Sequence, residues 1–245
     1  MMKTEINNAH IVDPSIGLNK ICSIYIDNET VAAIDNAPEG WSANQVIDAH
    51  GHFLIPGIVD IATRLREPGQ EHKATIASET FAAVSAGITS VVVQPDTSPV
   101  INTPAEVELI QQKNKAAGHC HVYVIGALTQ DLNGSLLSEM AALKEAGVVG
   151  VSNCLAPLAS SLVLRRAMEY ASSQELTLFL HPIDHDLAGK GCVHEGMTAT
   201  RMGLSGIPSA AETAAVGSSL ALIEQTGVRV HFCRISTQRT LQLLE

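Results

Sequence analysis

The side chains able to hold a metal ion or move a proton fall into a few groups along this sequence. HGH at His50–His52 and HCH at His119–His121 have the His-x-His spacing of a zinc site, and HPIDHD, His181–Asp186, combines imidazole with carboxylate. Downstream of the last lie His194 and Glu195, and much earlier the stretch DIATRLREPG, Asp60–Gly69, ends in a cluster of charge. Imidazole, thiolate and carboxylate are the donors a catalytic zinc takes, usually three from the protein, and such an ion activates water for hydrolysis. Which groups can act together depends on the elements that carry them.

Up to about Gly51 the segments KTEINNAHIV, CSIYID and TVAAID are short and turn-bounded, which predicts a small antiparallel β unit. Beyond Phe53, apolar runs alternate with Ala-rich helical stretches, and glycines at 87, 118, 147 and 227 stand between a helix and the next strand. The spacing of roughly 30 residues is that of a βα unit. Six parallel strands are expected, at 53–61, 88–94, 121–127, 148–152, 176–181 and 228–233, with capping boxes TPAE (Thr103–Glu106) and SAAE (Ser209–Glu212) opening two helices. The fold class is α/β: a (β/α)8 TIM-type barrel of which about six units are present, with a small N-terminal β-sandwich portion. A doubly wound open sheet is the structural rival. The division expected is 1–52 for the small portion and 53–245 for the barrel, which stops after the sixth strand and part of its helix.

In such a barrel the active site lies at the C-terminal strand ends. The residues there are Asp60, Ala62, Arg64 and Arg66; Gln94, Pro95 and Asp96; Asn153 and Cys154; His181, Asp184 and His185; and Arg234 and Ser236. This set is polar but short of ligands, because arginine has no lone pair to offer a metal. The two His-x-His pairs precede their strands and belong to the opposite face, where they read as ordinary surface histidines. HPIDHD is at the correct end and reads either as a ligand source or as a solvated, hydrogen-bonded loop.

Composition removes several classes. Lys plus Arg number 15 against 25 for Asp plus Glu, and the net charge of −10 repels nucleic acid and anionic membrane alike. No signal peptide or run of roughly 20 apolar residues is present, so a soluble, cytoplasmic protein is expected. Five scattered cysteines without a CxxC pair read as reduced thiols, with no disulfide framework or structural zinc site.

The ordered motifs FLIPGIVD…LREPG, QPDTSPVINTP, HPIDHDLAGKG…HEG, GLSGIPSAAE and HFCRIST resemble the dihydroorotases of the cyclic amidohydrolase family, over essentially the whole chain. The resemblance implies a small β-sandwich beside a (β/α)8 barrel, and one or two zinc ions that activate water to open or close a cyclic amide in pyrimidine synthesis. Carried over by position, the family's His-x-His after the first strand falls on Ala62 and Arg64, its acidic ligand on Asn153 or Cys154, and its histidine after the sixth strand on Arg234; of these ligands only His181 is retained. Arg66 matches the arginine for the substrate carboxylate, but the companion asparagine is Asp96 here, and the aspartate after the eighth strand lies beyond the last residue. His194 is a further ligand-binding candidate beside Arg66 and Asp96.

The resemblance therefore implies a vestigial site of Asp60, Ala62, Arg64, Asn153, Cys154, His181 and Arg234, with no catalytic residue, no zinc and no other cofactor expected. It is most similar to the non-catalytic branch that assembles with the catalytic subunit of aspartate carbamoyltransferase, and a homo-oligomer stays open. Two alternatives stand beside this reading. One is a cyclic amidohydrolase of altered, metal-free chemistry built on His181, Asp184 and His194 around Arg66. The other is a small-anion binding module in which Arg64, Arg66 and Arg234 converge.

Overall fold

The computed structural model describes residues 2–245, which divide into two compact units, one running to Ile58 and the other spanning Val59–Glu245. In the first unit, β1 (Lys3–Asp13) lies between β2 (Leu18–Asp27), which is antiparallel to it, and β4 (Gln45–Asp48) and β5 (Phe53–Leu54), both parallel to it. β3 (Thr30–Ile34) closes the other edge against β2. The sheet is therefore mixed, where the turn-bounded segments predicted antiparallel pairing throughout. A small core of Ala9, Ile11 and Cys22, with Ile24, Ile34 and Leu54 packed around it, lines one face.

The expected strand 53–61 is two strands. Pro56 and Gly57 break it, Phe53–Leu54 pairs with His10–Ile11 in the small sheet, and β6 (Ile58–Thr63) opens the barrel sheet. Proline cannot donate to a ladder, so a Pro-Gly pair is where one strand can serve two sheets in turn.

In the second unit β6 is followed by β7 (Ile88–Val93), β8 (His121–Ala127), β9 (Gly150–Ser152), β10 (Thr177–Leu180) and, after a short pair β11 (Val193–His194) and β12 (Gly206–Ile207), by β13 (Val230–Phe232). The sheet order is β6-β7-β8-β9-β10-β13, so each strand lies beside the next in the chain. A doubly wound sheet reverses direction at a switch point; this one never does, which is the winding of a (β/α)8 barrel. Five of the six strands fall within the intervals expected from the apolar runs.

The helices between them are α1 (Ile76–Ser85), α2 (Pro104–Ala117), α3 (Met140–Glu145), α4 (Ser161–Ser173), the short α5 (His185–Ala188) and α6 (Met197–Met202), α7 (Ser209–Thr226) and α8 (Gln238–Leu244). Alternate strand residues Val91, Val93, Val124, Val151, Leu178 and Leu180 share one buried cluster with Ile110, Met140, Leu143 and Met168 of these helices. The opposite alternation carries Ser152, Phe179 and His231 in register, and the rings of Phe179 and His231 lie 5.3 Å apart. No helix among the described residues is long and apolar enough to cross a membrane.

Gly150 makes room for this interior face. A Cβ there would lie 2.5 Å from the Thr177 carbonyl oxygen and 2.6 Å from the Phe179 ring. Gly150→Ala is expected to cost about 1–3 kcal/mol through overpacking, read as a lower denaturant midpoint.

The two capping boxes differ in outcome. At α2 the Glu106 carboxylate accepts from the Thr103 N–H at 2.9 Å and from its hydroxyl at 2.6 Å, as expected. At α7 the N-cap is Pro208, which has no side-chain acceptor, and Glu212 lies one position past the box and bonds to another segment.

Candidate functional site at the strand ends

The end of β6 uses its polar groups on its own frame. The Asp60 carboxylate accepts from Ala62 N at 2.9 Å, and Leu65 is buried. Glu67, 8% exposed, accepts from Ile76 N at the start of α1 at 2.8 Å and pairs with Lys113 of α2 at 2.5 Å. Gly69 has φ +99, and a Cβ on it would lie 2.3 Å from the Ser98 carbonyl oxygen; the Ser98 N–H in turn donates to the Pro68 carbonyl at 3.2 Å. The LREPG and QPDTSP segments are thus clamped together, and the charged turn is architectural.

Arg64 donates from Nε to Asp96 at 2.7 Å, with side chains 26% and 30% exposed. Asp96 therefore faces a guanidinium of its own chain, not an incoming anion. Arg66 has φ 64 and lines a narrow crevice with Pro68, Gln70 and Thr97. It does not line the cavity that Arg64 and Arg234 share, so the convergence of three arginines expected from sequence is one of two.

That cavity, about 230 Å³, lies at the C-terminal ends of β6, β7, β9, β10 and β13, and Ala62, Ser152, Cys154, His181 and Cys233 also line it. Asn153, at the end of β9, is 5% exposed; it accepts from the Thr129 hydroxyl at 2.6 Å and donates to the Ala156 carbonyl at 3.1 Å. Its amide is spent on the loop. Cys154 has φ 52, and burial, reinforced by the Asp96 charge, pushes its thiol up to about 12 against the opposing pull of Arg64 and Arg234. Burial likewise raises the Cys233 thiol. His181 is held below its ordinary value by burial, with the Arg234 charge acting in the same sense, and its Nδ1 is buried without a partner. Arg234 is exposed with φ 59.

The remaining candidates are taken up elsewhere. Asp184 caps α5, accepting from Asp186 N and Leu187 N at 3.0 Å each. His194 contacts the Ser236 hydroxyl at 3.1 Å, and Ser236 donates to Glu212 at 2.7 Å. Glu212 also accepts from Ser236 N and from Thr237 N and Oγ1, all within 2.9 Å. Partial burial pushes its carboxyl up, but hydrogen bonds from Thr240, Ser236 and Thr237 outweigh that and hold it at about 2. His181, Asp184 and His194 accordingly do not gather around Arg66. His181 and Asp184 instead border a second cavity, about 490 Å³, beside the tip of β10 and α7. Among the described residues no three His, Cys, Asp or Glu side chains are grouped to hold a metal ion, the HGH and HCH pairs included.

Reading by element end missed His231 and Cys233 as cavity residues. Counting back by twos from the tip of β13 would have found both on the interior face.

Comparison with known proteins bears on the whole arrangement. A family model described as Dihydro-orotase-like matches residues 51–240. A protein named Dihydroorotase-like protein from Pseudomonas putida is 44% identical over 243 residues, 99% of this chain and 57% of that one. A protein named Dihydroorotase from Anaeromyxobacter sp. (strain K) is 40% identical over 232 residues, 95% of this chain and 54% of that one. The chain therefore spans little more than half the length of the curated relatives it matches. Among solved structures, L-hydantoinase (dihydropyrimidinase) from Arthrobacter aurescens superposes with a TM-score of 0.79 at 20% identity, covering 99% of this chain and 55% of that one, a likeness of fold. Motif order, sheet winding and sequence identity agree, and the chain belongs to the dihydro-orotase-like family.

Proposed function

We propose that this chain is a non-catalytic dihydroorotase-like protein of pyrimidine biosynthesis, acting as a structural or assembly partner of aspartate carbamoyltransferase. The observation that carries the reading is the donor set at the strand ends. Ala62 has no donor, and Arg64 and Arg234 place guanidinium charge where a cation would sit. Asn153 is consumed by Thr129 and Ala156, and Cys154 is a single buried thiol flanked by the Arg64 and Arg234 charges. His181 alone does not make a catalytic zinc site, so a zinc ion does not fit these residues. The frame around them is built with care all the same: the Glu67, Gly69 and Glu212 contacts keep the mouth in shape. A scaffold role accounts for an ordered frame around a site without ligands.

The test pairs metal content by mass spectrometry and a dihydroorotase assay with co-purification alongside aspartate carbamoyltransferase. Substoichiometric zinc, no turnover and a stable complex are expected; stoichiometric zinc with activity would overturn the reading, as would a chain that never associates with that enzyme. Ala62→His combined with Arg64→His is expected to leave turnover at background, because Asn153 and Arg234 still supply no donor. Turnover by that double variant would show that the remaining residues suffice.

A further inference from the structure

The cavity between Arg64 and Arg234 departs in charge from the chain as a whole. The chain carries −10 overall, yet the lining of this cavity holds two guanidinium groups and no carboxylate. Asp96 approaches Arg64 from outside the lining and takes only Nε, at 2.7 Å. Among the described residues no hydrogen bond or ion pair engages the terminal nitrogens of Arg64 or any nitrogen of Arg234. Arg64, Arg234 and Cys154 all line this one space. The other titratable groups of the lining, Cys154, Cys233, His181 and His231, include no carboxylate, and burial raises both thiols. With Asp96 counted, one positive charge remains uncompensated.

The shape selects among anions. Ile61, Ala62 and Leu155 supply the apolar part of the lining, while Ser152 and Gln94 spend hydrogen bonds on the Phe179 and Ile61 carbonyls. A phosphate dianion would leave oxygens facing hydrocarbon, which is costly. A carboxylate needs only the planar fork that a guanidinium offers, and a short carbon body would cover the apolar lining. The geometry points to a binding site for a small carboxylate held between Arg64 and Arg234 against the apolar lining of Ile61, Ala62 and Leu155. Arg66 takes no part, since it does not line the cavity. The site is independent of the partner reading, because it needs only this chain.

Calorimetric titration of the chelator-treated chain with propionate, N-carbamoyl aspartate and inorganic phosphate, at one ionic strength, tests it. Saturable binding of one carboxylate per chain is expected, with phosphate about tenfold weaker or less. Arg234→Gln is expected to weaken carboxylate binding about tenfold or more, and Arg234→Lys less, since it keeps the charge and loses the fork. Ala62→Leu, at an exposed strand position, should fill the cavity and abolish binding while the chain stays folded by its unfolding midpoint. The site is overturned if no carboxylate saturates, if phosphate binds as tightly, or if Arg234→Gln and Ala62→Leu bind as the unaltered chain does. Failure to associate with aspartate carbamoyltransferase would leave this result untouched, and loss of binding would leave that association untouched.

Discussion

Gly69→Ala is expected to destabilise the barrel unit by about 3 kcal/mol or more. Two costs combine there. The backbone at φ +99 is one that a side chain rarely adopts, and the new Cβ would lie 2.3 Å from the Ser98 carbonyl oxygen and 2.5 Å from the Ser98 Cβ. Neither neighbour is the free end of a flexible side chain, so the two loops must separate. Separation would strain the hydrogen bond from Ser98 N to Pro68 O and shift Asp96 relative to Arg64. Gly203→Ala supplies the comparison: φ is +65 with nothing within 4 Å, so only the conformational cost of about 1 kcal/mol applies. Denaturant midpoints of the two variants separate the steric part from the backbone part. Equal losses would show that Ser98 yields freely and that the REPG turn is not clamped.

The clamp bears on why the LREPG segment was legible as a motif but not as a device. Sequence shows a charged turn after a strand, and in that setting charge suggests chemistry. What Glu67 does depends on Ile76 and Lys113, the latter 46 residues away, and what Gly69 does depends on Ser98. The Arg64–Asp96 pair spans 32 residues and joins two neighbouring strand ends, so no local pattern announces it. The strands themselves were readable because each is a short apolar run followed by a helix of the opposite periodicity, and sheet order then follows from parallel winding. The break at Pro56-Gly57 was visible too, and reading through it merged β5 with β6.

The capping boxes show where local rules give way. TPAE and SAAE have the same spacing, yet only Glu106 turns back on its own helix start. At α2, Thr103 occupies the N-cap and offers two donors to Glu106. At α7 the helix begins one residue early, with Pro208 at the N-cap, so Ala211 and not Glu212 stands at the third helical position, and Pro208 has no N–H to donate. Glu212 is thereby free to take donors from Ser236 and Thr237, which sequence places 24 and 25 residues away.

That diversion makes Glu212 the residue on which acid stability should depend most. Its carboxylate gathers four hydrogen bonds of 2.7–2.9 Å from the segment after β13, and Thr237 in turn caps α8 by accepting from Thr240 N. Because the folded carboxyl titrates near 2, below its ordinary 4.5, the stability it adds is fully present above about 4.5 and is lost as pH falls through about 2. Glu212→Gln keeps the size and one accepting oxygen but removes the charge, and the amide presents donors to donors. A loss of about 2 kcal/mol is expected at neutral pH, discounted for partial exposure, since hydrogen bonds to a charged acceptor are the stronger kind. The gap between the two proteins should then close as pH falls from about 4.5 towards 2, because the unaltered chain loses the interaction by protonation while the variant has none to lose. Urea midpoints measured across that range decide it. A gap that stays constant with pH would mean that Glu212 contributes packing alone and that its charge does not hold the Ser236–Thr237 turn.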